Sequence, residues 1–168
     1  MNLPNILTLF RMFLIPIFIL VFFSNIKNNI FYSIILFLIA GLTDVLDGYI
    51  ARKKNLVTKW GIVLDPLADK LMLLTVLTCL TINDIIPLWI IIIVSIKELA
   101  MIIAGAILYN KDFIIPSNIF GKMATLMFYI SIFILNFNSK YGEYLLDIAV
   151  LSALLAFTNY LLFYLKQK

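Results

Sequence analysis

The chain has 168 residues, 64% hydrophobic and 13% charged, whereas soluble domains run near half apolar and a quarter charged. A domain of this size buries only about two-thirds of its unfolded surface, so in water many of its 14 Phe and 8 Tyr would be exposed; lipid is the solvent that accommodates them. With no His and a single Cys, Cys79, disulfide frameworks, thiolate or imidazole zinc sites and a histidine base are excluded.

Taken at about 20 residues per crossing, the apolar windows bounded by Asn, Pro, Gly and charge predict transmembrane helices over roughly 5–25, 30–51, 60–82, 85–109, 118–137 and 143–165. The predicted fold is an all-α integral membrane protein with six transmembrane helices, one domain over 1–168, without repeat, low-complexity segment or linker. Residues 12–23, MFLIPIFILVFF, have the character of a signal-peptide core. Arg11 is the only cation before them, however, and no small-x-small cleavage site follows before Asn25, so a retained first helix kinked at Pro16 is expected. Ahead of it, NLPNILTLFR (2–11) predicts a short N-terminal interfacial helix.

Orientation follows from the cations. The second loop has Arg52, Lys53, Lys54 and Lys59, the region between spans four and five has Lys111 and Lys122, and the C-terminus has Lys166 and Lys168. The opposite loops hold only Lys27 and Lys140, and the link between spans three and four carries Asp84. This bias places both termini and the second loop in the cytosol. The formal charge of +4 is thus spent on topology; with no basic tail, no nucleic-acid partner is expected.

Four of the nine acidic residues lie where hydropathy least wants them: Asp44 and Asp47 near the end of span two, Asp65 and Asp69 at the start of span three. At about 2.5–3.5 kcal/mol each deep in a bilayer, four cost on the order of 10 kcal/mol, which something must offset. Their i,i+3 and i,i+4 spacings put each pair on one helix face, and two antiparallel helices joined by a short basic loop bring the faces together. Oxygen-only ligands without His favour a hard dication, Mg²⁺, Mn²⁺ or Ca²⁺, and two such ions would balance four carboxylates, as in a two-metal phosphoryl site. Gly48 and Gly61 leave room for a ligand, and Arg52 can fork onto a phosphate. The alternative is a set of buried ion pairs with Arg52, Lys53, Lys54 or Lys70.

Residues 44–69, DVLDGYIARKKNLVTKWGIVLDPLAD, read D-x-x-D-G-x-x-A-R-x8-G-x3-D-x3-D. This resembles, at every defined position, the signature of the CDP-alcohol phosphatidyltransferases, integral membrane enzymes with six transmembrane helices. The resemblance implies that Asp44, Asp47, Asp65 and Asp69 bind divalent metal, Mg or Mn and two ions, that Asp69 is also the catalytic base, and that Gly48, Ala51, Arg52 and Gly61 line the CDP site. Upstream, LPNILTLFR is similar to the family's Pro-Asn-x-x-Thr-x-x-Arg entry, which implies that Asn5, Thr8 and Arg11 border the nucleotide pocket; a capped helix with an interface-anchoring arginine is the alternative. The implied reaction transfers a phosphatidyl group from CDP-diacylglycerol to an alcohol with release of CMP, and needs no covalent enzyme intermediate. Membrane lipids are the surroundings, and a homodimer is a further family expectation.

The acceptor is read from the second half. GKMAT (121–125) resembles the Gly-Lys-x-Lys-Thr stretch of the phosphatidylglycerophosphate synthases, with Ala124 in place of the second lysine, and Lys97-Glu98 stands where that group commonly has Arg-Glu. Lys97 and Lys122 are therefore the expected ligands of the phosphate of glycerol 3-phosphate; for Lys97 the alternative is a lysine serving its neighbour Glu98 in a polar cleft. LDPLADK (64–70) and DIIPLW (84–89) are also compatible with the cardiolipin synthases, whose acceptor is phosphatidylglycerol, and inositol-phosphate or serine acceptors are further options. A different class, a cation channel or transporter, would string its acids over several depths, whereas these four belong near one interface. Trp60, Trp89, Tyr141, Tyr144, Tyr160 and Tyr164 are expected at headgroup depth.

Overall fold

A computed structural model describes residues 3–53, 59–109 and 119–166, all helical apart from the short turns between helices: α1 (Leu3–Phe22), α2 (Asn29–Lys53), α3 (Lys59–Ile82), α4 (Leu88–Tyr109), α5 (Ile119–Leu135) and α6 (Ser139–Lys166). Of the cations that set the expected orientation, Lys54, Lys111 and Lys168 lie outside these residues. Two helical segments of 22 residues, Asn29–Ile50 and Ser139–Tyr160, are long and apolar enough to cross a membrane, each about 33 Å at 1.5 Å per residue. Large apolar side chains point outward all along the helices, with Phe13 70% and Leu20 73% exposed on α1 and Leu151 and Leu155 exposed on α6. Such a surface has lipid as its natural solvent, consistent with a membrane protein.

The chain divides into two compact units, Met1–Asp84 and Ile85–Lys168. In the first, α1 is the central element: it packs on both α2 and α3, which touch each other far less. Leu14, Phe18 and Phe22 form its buried stripe, with the Phe18 and Phe22 rings stacked at 5.6 Å; Ile34, Phe37 and Ala40 face them from α2, and Met72, Val76 and Leu80 from α3. The α1–α2 turn is built by asparagines. Asn28 takes the left-handed conformation (φ 64°) that its short polar side chain tolerates, and the Asn29 amide donates to the carbonyls of Phe22 (2.6 Å) and Ser24 (3.0 Å), capping the end of α1.

One expectation is corrected here. There is no separate N-terminal interfacial helix among the described residues: Leu3–Phe22 is one continuous helix. Pro4 falls in its first turn, where a missing N–H interrupts nothing, so the polar start of the sequence does not break it. Pro16 sits inside the same helix.

In the second unit α5 and α6 form a hairpin across Asn136–Asn138, and α4 packs on α6. Ala124, Phe128, Ile132 and Leu135 of α5 meet Leu146, Ala149, Val150 and Ala153 of α6; the alanines allow the close approach on which helix pairs in lipid depend. Asn138 caps α6, its Oδ1 accepting from the Tyr141 N–H at 3.2 Å. At Gly142 a Cβ would fall 2.6 Å from the Leu135 Cα, so the hairpin closes only because that position carries no side chain.

Candidate active site

On all three helices of the first unit the buried stripe runs on into polar residues at one end. On α1, Arg11 and Thr8 precede Leu14, Phe18 and Phe22; on α2, Asp44 and Asp47 follow Ser33, Phe37 and Ala40 at alternating spacings of four and three; on α3, Asp65 and Asp69 precede Met72, Val76 and Cys79 in the same register. The tight turn after α1 reverses the chain, so the C-terminal half of α2 comes alongside the N-terminal half of α1, and α3 returns its own first turns to the same level. The apolar parts of the stripes make the core; their polar ends meet.

Arg11 is the centre of that meeting. Its side chain is 1% exposed, and its two terminal nitrogens reach three carboxylates: Nη1 donates to Asp44 Oδ1, Nη2 donates to Asp47 Oδ2 at 2.5 Å, and Asp65 Oδ1 lies 3.7 Å from Nη2. The Thr8 hydroxyl, also buried, donates to the same Asp65 oxygen. One guanidinium thus links the two acids of α2 to one of α3. The planar fork of an arginine suits this bridging, which the point charge of a lysine would not match. A buried arginine without counter-charge would cost several kcal/mol, and Asp47, 3% exposed, supplies the most deeply buried of its partners.

The balance of charge among these groups is uneven: three carboxylates against one guanidinium leave two negative charges, and Asp69 lies half-buried one turn further along α3. Arg11 Nε is buried and makes no hydrogen bond among the described residues. All-oxygen donors in negative excess suit a hard divalent cation, so the residues present fit the metal that this donor set invites. Among the described residues, however, no three carboxylates lie close enough together to hold one ion; the guanidinium lies between them.

The other predicted site residues are placed as follows. Gly48 is half-buried on α2 next to Asp47. Asn5 lies on α1, Ala51 and Arg52 on α2 and Gly61 on α3, with their side-chain surroundings outside the described residues. Lys97 and Lys122 belong to the second unit. The Lys97 ammonium donates to Glu98 Oε1 at 2.6 Å, the neighbour pairing offered by the sequence as the alternative role for this lysine. Lys122 is exposed on α5, one turn from Thr125, whose hydroxyl donates to the Gly121 carbonyl at 3.1 Å.

The sequence places Arg11 at the border of a nucleotide pocket and offers Arg52, Lys53, Lys54 or Lys70 only as the alternative ion-pair partners of the acids. In the structure Arg11 itself pairs with Asp44, Asp47 and Asp65. The signal was available in the spacing: Arg11 lies three residues before Leu14 and seven before Phe18, on the face that has to be buried.

Comparison with known proteins identifies the family. A family model described as CDP-alcohol phosphatidyltransferase matches residues 1–161. The chain is similar to the CDP-diacylglycerol--glycerol-3-phosphate 3-phosphatidyltransferase of Wigglesworthia glossinidia brevipalpis, 35% identical over 98% of this chain and 93% of that protein. It is also similar to the enzyme of the same name from Bacillus subtilis, 38% identical over 74% of this chain and 70% of the relative, and to that of Escherichia coli, 41% identical over 48% and 44%. The family is generally dependent on a divalent metal. The family-model match over residues 1–161 and the likeness to a relative over nearly the full length lead to one assignment: the chain belongs to the CDP-alcohol phosphatidyltransferases and is an enzyme of that class.

Proposed function

We propose that this enzyme transfers the phosphatidyl group of CDP-diacylglycerol to the hydroxyl of glycerol 3-phosphate and releases CMP. The observation that carries the reading is the convergence of Asp44, Asp47 and Asp65 on one point from two different helices, and the names of the relatives support the choice of donor and acceptor. In this reading Asp44, Asp47, Asp65 and Asp69 hold two Mg²⁺ or Mn²⁺ ions, while Asn5, Thr8, Gly48, Ala51, Arg52 and Gly61 border the CDP moiety. The bound dications supply Lewis acidity toward the pyrophosphate and the departing CMP. Asp69 accepts the proton of the acceptor hydroxyl as its oxygen bonds to the lipid-bearing phosphorus and the phosphoanhydride bond to CMP breaks. Lys97 and Lys122 attract the acceptor's phosphate, with the Lys97–Glu98 pair setting how much of that charge is available. All six helices cross a bacterial cell membrane, with both termini and the α2–α3 loop on the cytosolic side, where CDP and glycerol 3-phosphate are soluble. The family match runs across both compact units, which supports their acting as one catalytic domain.

The test is CMP release by the purified full-length protein from CDP-diacylglycerol, with glycerol 3-phosphate and phosphatidylglycerol offered separately, with and without Mg²⁺ or Mn²⁺. Metal-dependent release with glycerol 3-phosphate alone is expected. Turnover with phosphatidylglycerol and not with glycerol 3-phosphate would make the enzyme a cardiolipin synthase, and release without added or bound metal would remove the dications from the mechanism.

A further inference from the structure

We propose that Arg11 is a built-in counter-cation that holds the acidic cluster together in the metal-free enzyme and is exchanged for a divalent ion when metal binds; the proposal rests on the metal reading above and concerns what Arg11 does to it.

Three observations point to exchange and away from a permanent tie. The guanidinium nitrogens engage Asp44 Oδ1, Asp47 Oδ2 and, more loosely at 3.7 Å, Asp65 Oδ1. With the guanidinium between them, no three carboxylates among the described residues are close enough to share an ion, so a metal that takes three of them has to draw them inward through the space Arg11 fills. Finally, Arg11 is incompletely satisfied where it stands: the side chain is 1% exposed, yet Nε makes no hydrogen bond among the described residues. A guanidinium with a vacant donor loses less on leaving than one whose donors are all used.

The device answers a physical problem. Without metal, carboxylates from α2 and α3 would repel one another at one level of the bundle, and these two helices have little direct contact to resist it. Arg11 reduces the repulsion from the helix that packs on both. Its single charge leaves two of the three carboxylate charges unmatched, so a dication still gains by replacing it. The 3.7 Å contact to Asp65 is the weakest link and the place where exchange begins, with Thr8 keeping its hydroxyl on Asp65. Arg11 is therefore a positioning residue: it lowers metal affinity by competing for the ligands and keeps those ligands assembled.

The experiment is Mn²⁺ binding to the full-length protein, measured from the paramagnetic resonance of free Mn²⁺, together with thermal unfolding with and without Mn²⁺, for the wild type, Arg11→Met and Arg11→Lys. Removing an internal competitor is expected to tighten Mn²⁺ binding about tenfold in Arg11→Met, with Arg11→Lys in between, while the metal-free unfolding temperature drops and the rise produced by Mn²⁺ grows. If either variant is unfolded without metal, recovery of the folded state on adding Mn²⁺ supports exchange. Mn²⁺ affinity equal to or weaker than wild type in both variants overturns the proposal, as does unfolding that Mn²⁺ fails to reverse. A wild type that binds no Mn²⁺ would instead defeat the metal reading itself, so the two failures are distinct.

Discussion

The α2–α3 pair and the α5–α6 pair are each two consecutive helices, and they are held in opposite ways. Between α5 and α6 the contact is made of apolar side chains along the whole hairpin, Phe128 and Ile132 against Leu146 and Ala149, closed by a backbone approach at Gly142. Between α2 and α3 direct contact is slight, and the bridge is a guanidinium contributed by α1. In lipid, apolar burial gives little drive to bring helices together, so shape and polar contacts decide; the α5–α6 pair relies on shape and the α2–α3 pair on charge. The lesson is one of function: a joint made by fit has no reason to open, while a joint made by charge can be rearranged by any ligand carrying charge of its own.

The contrast can be broken at either joint. The largest effect is expected at the charged one. Asp47→Asn keeps the size of the side chain but removes the charge that meets Arg11 at 2.5 Å; metal-dependent CMP release should fall by about 10²–10³-fold or more with the protein still inserted and helical by circular dichroism. Near-wild-type turnover in that variant would show that Asp47 does no chemistry. At the shape-based joint, Gly142→Ala places a methyl group 2.6 Å from the Leu135 Cα. Overpacking of that kind costs about 1–3 kcal/mol, seen as a lower unfolding temperature, whereas Mn²⁺ affinity of the protein that remains folded should not move. A loss of metal affinity would mean that the two joints are coupled. The smallest effect belongs to the cap between α5 and α6: Asn138→Ala removes the acceptor for the Tyr141 N–H, costing about 1 kcal/mol or less at an exposed helix start, with turnover unchanged.

Much of this architecture was legible in the sequence. Six apolar windows correspond to six helices, two of them long and apolar enough to cross a membrane, where every backbone group must be bonded within its own segment. The edges were less legible, for a definite reason: hydropathy registers depth in a bilayer, and helices start where a cap sits. α6 begins at Ser139, ahead of the expected 143, because Asn138 caps a first turn containing Lys140. α1 ends at Phe22, short of 25, because Ser24, Asn28 and Asn29 build the turn there. That Asp44, Asp47 and Asp65 come to one level was legible from their spacing. Their partner was harder to read: thirteen cations compete for the role, and although Arg11 is in register with the buried stripe of α1, it is the packing of α1 against both α2 and α3 that brings it to the acids. For Lys97 the sequence offered two roles, and the structure shows its ammonium paired with Glu98 on a single turn of α4.

The placement of Arg11 on the first helix also bears on how the protein is made. Arg11 precedes Asp44 by 33 residues and Asp47 by 36, and at ribosomal rates of about 5–20 residues per second its partners follow seconds later. During that interval a helix otherwise rich in Phe, Ile and Leu carries a cation that no acidic residue made so far can neutralise, since none occurs before Asp44. The first helix can reach its final seat only after the second and third have been delivered. The ion pairs that gather the site can therefore form only late in synthesis, once α2 and the start of α3 have been made.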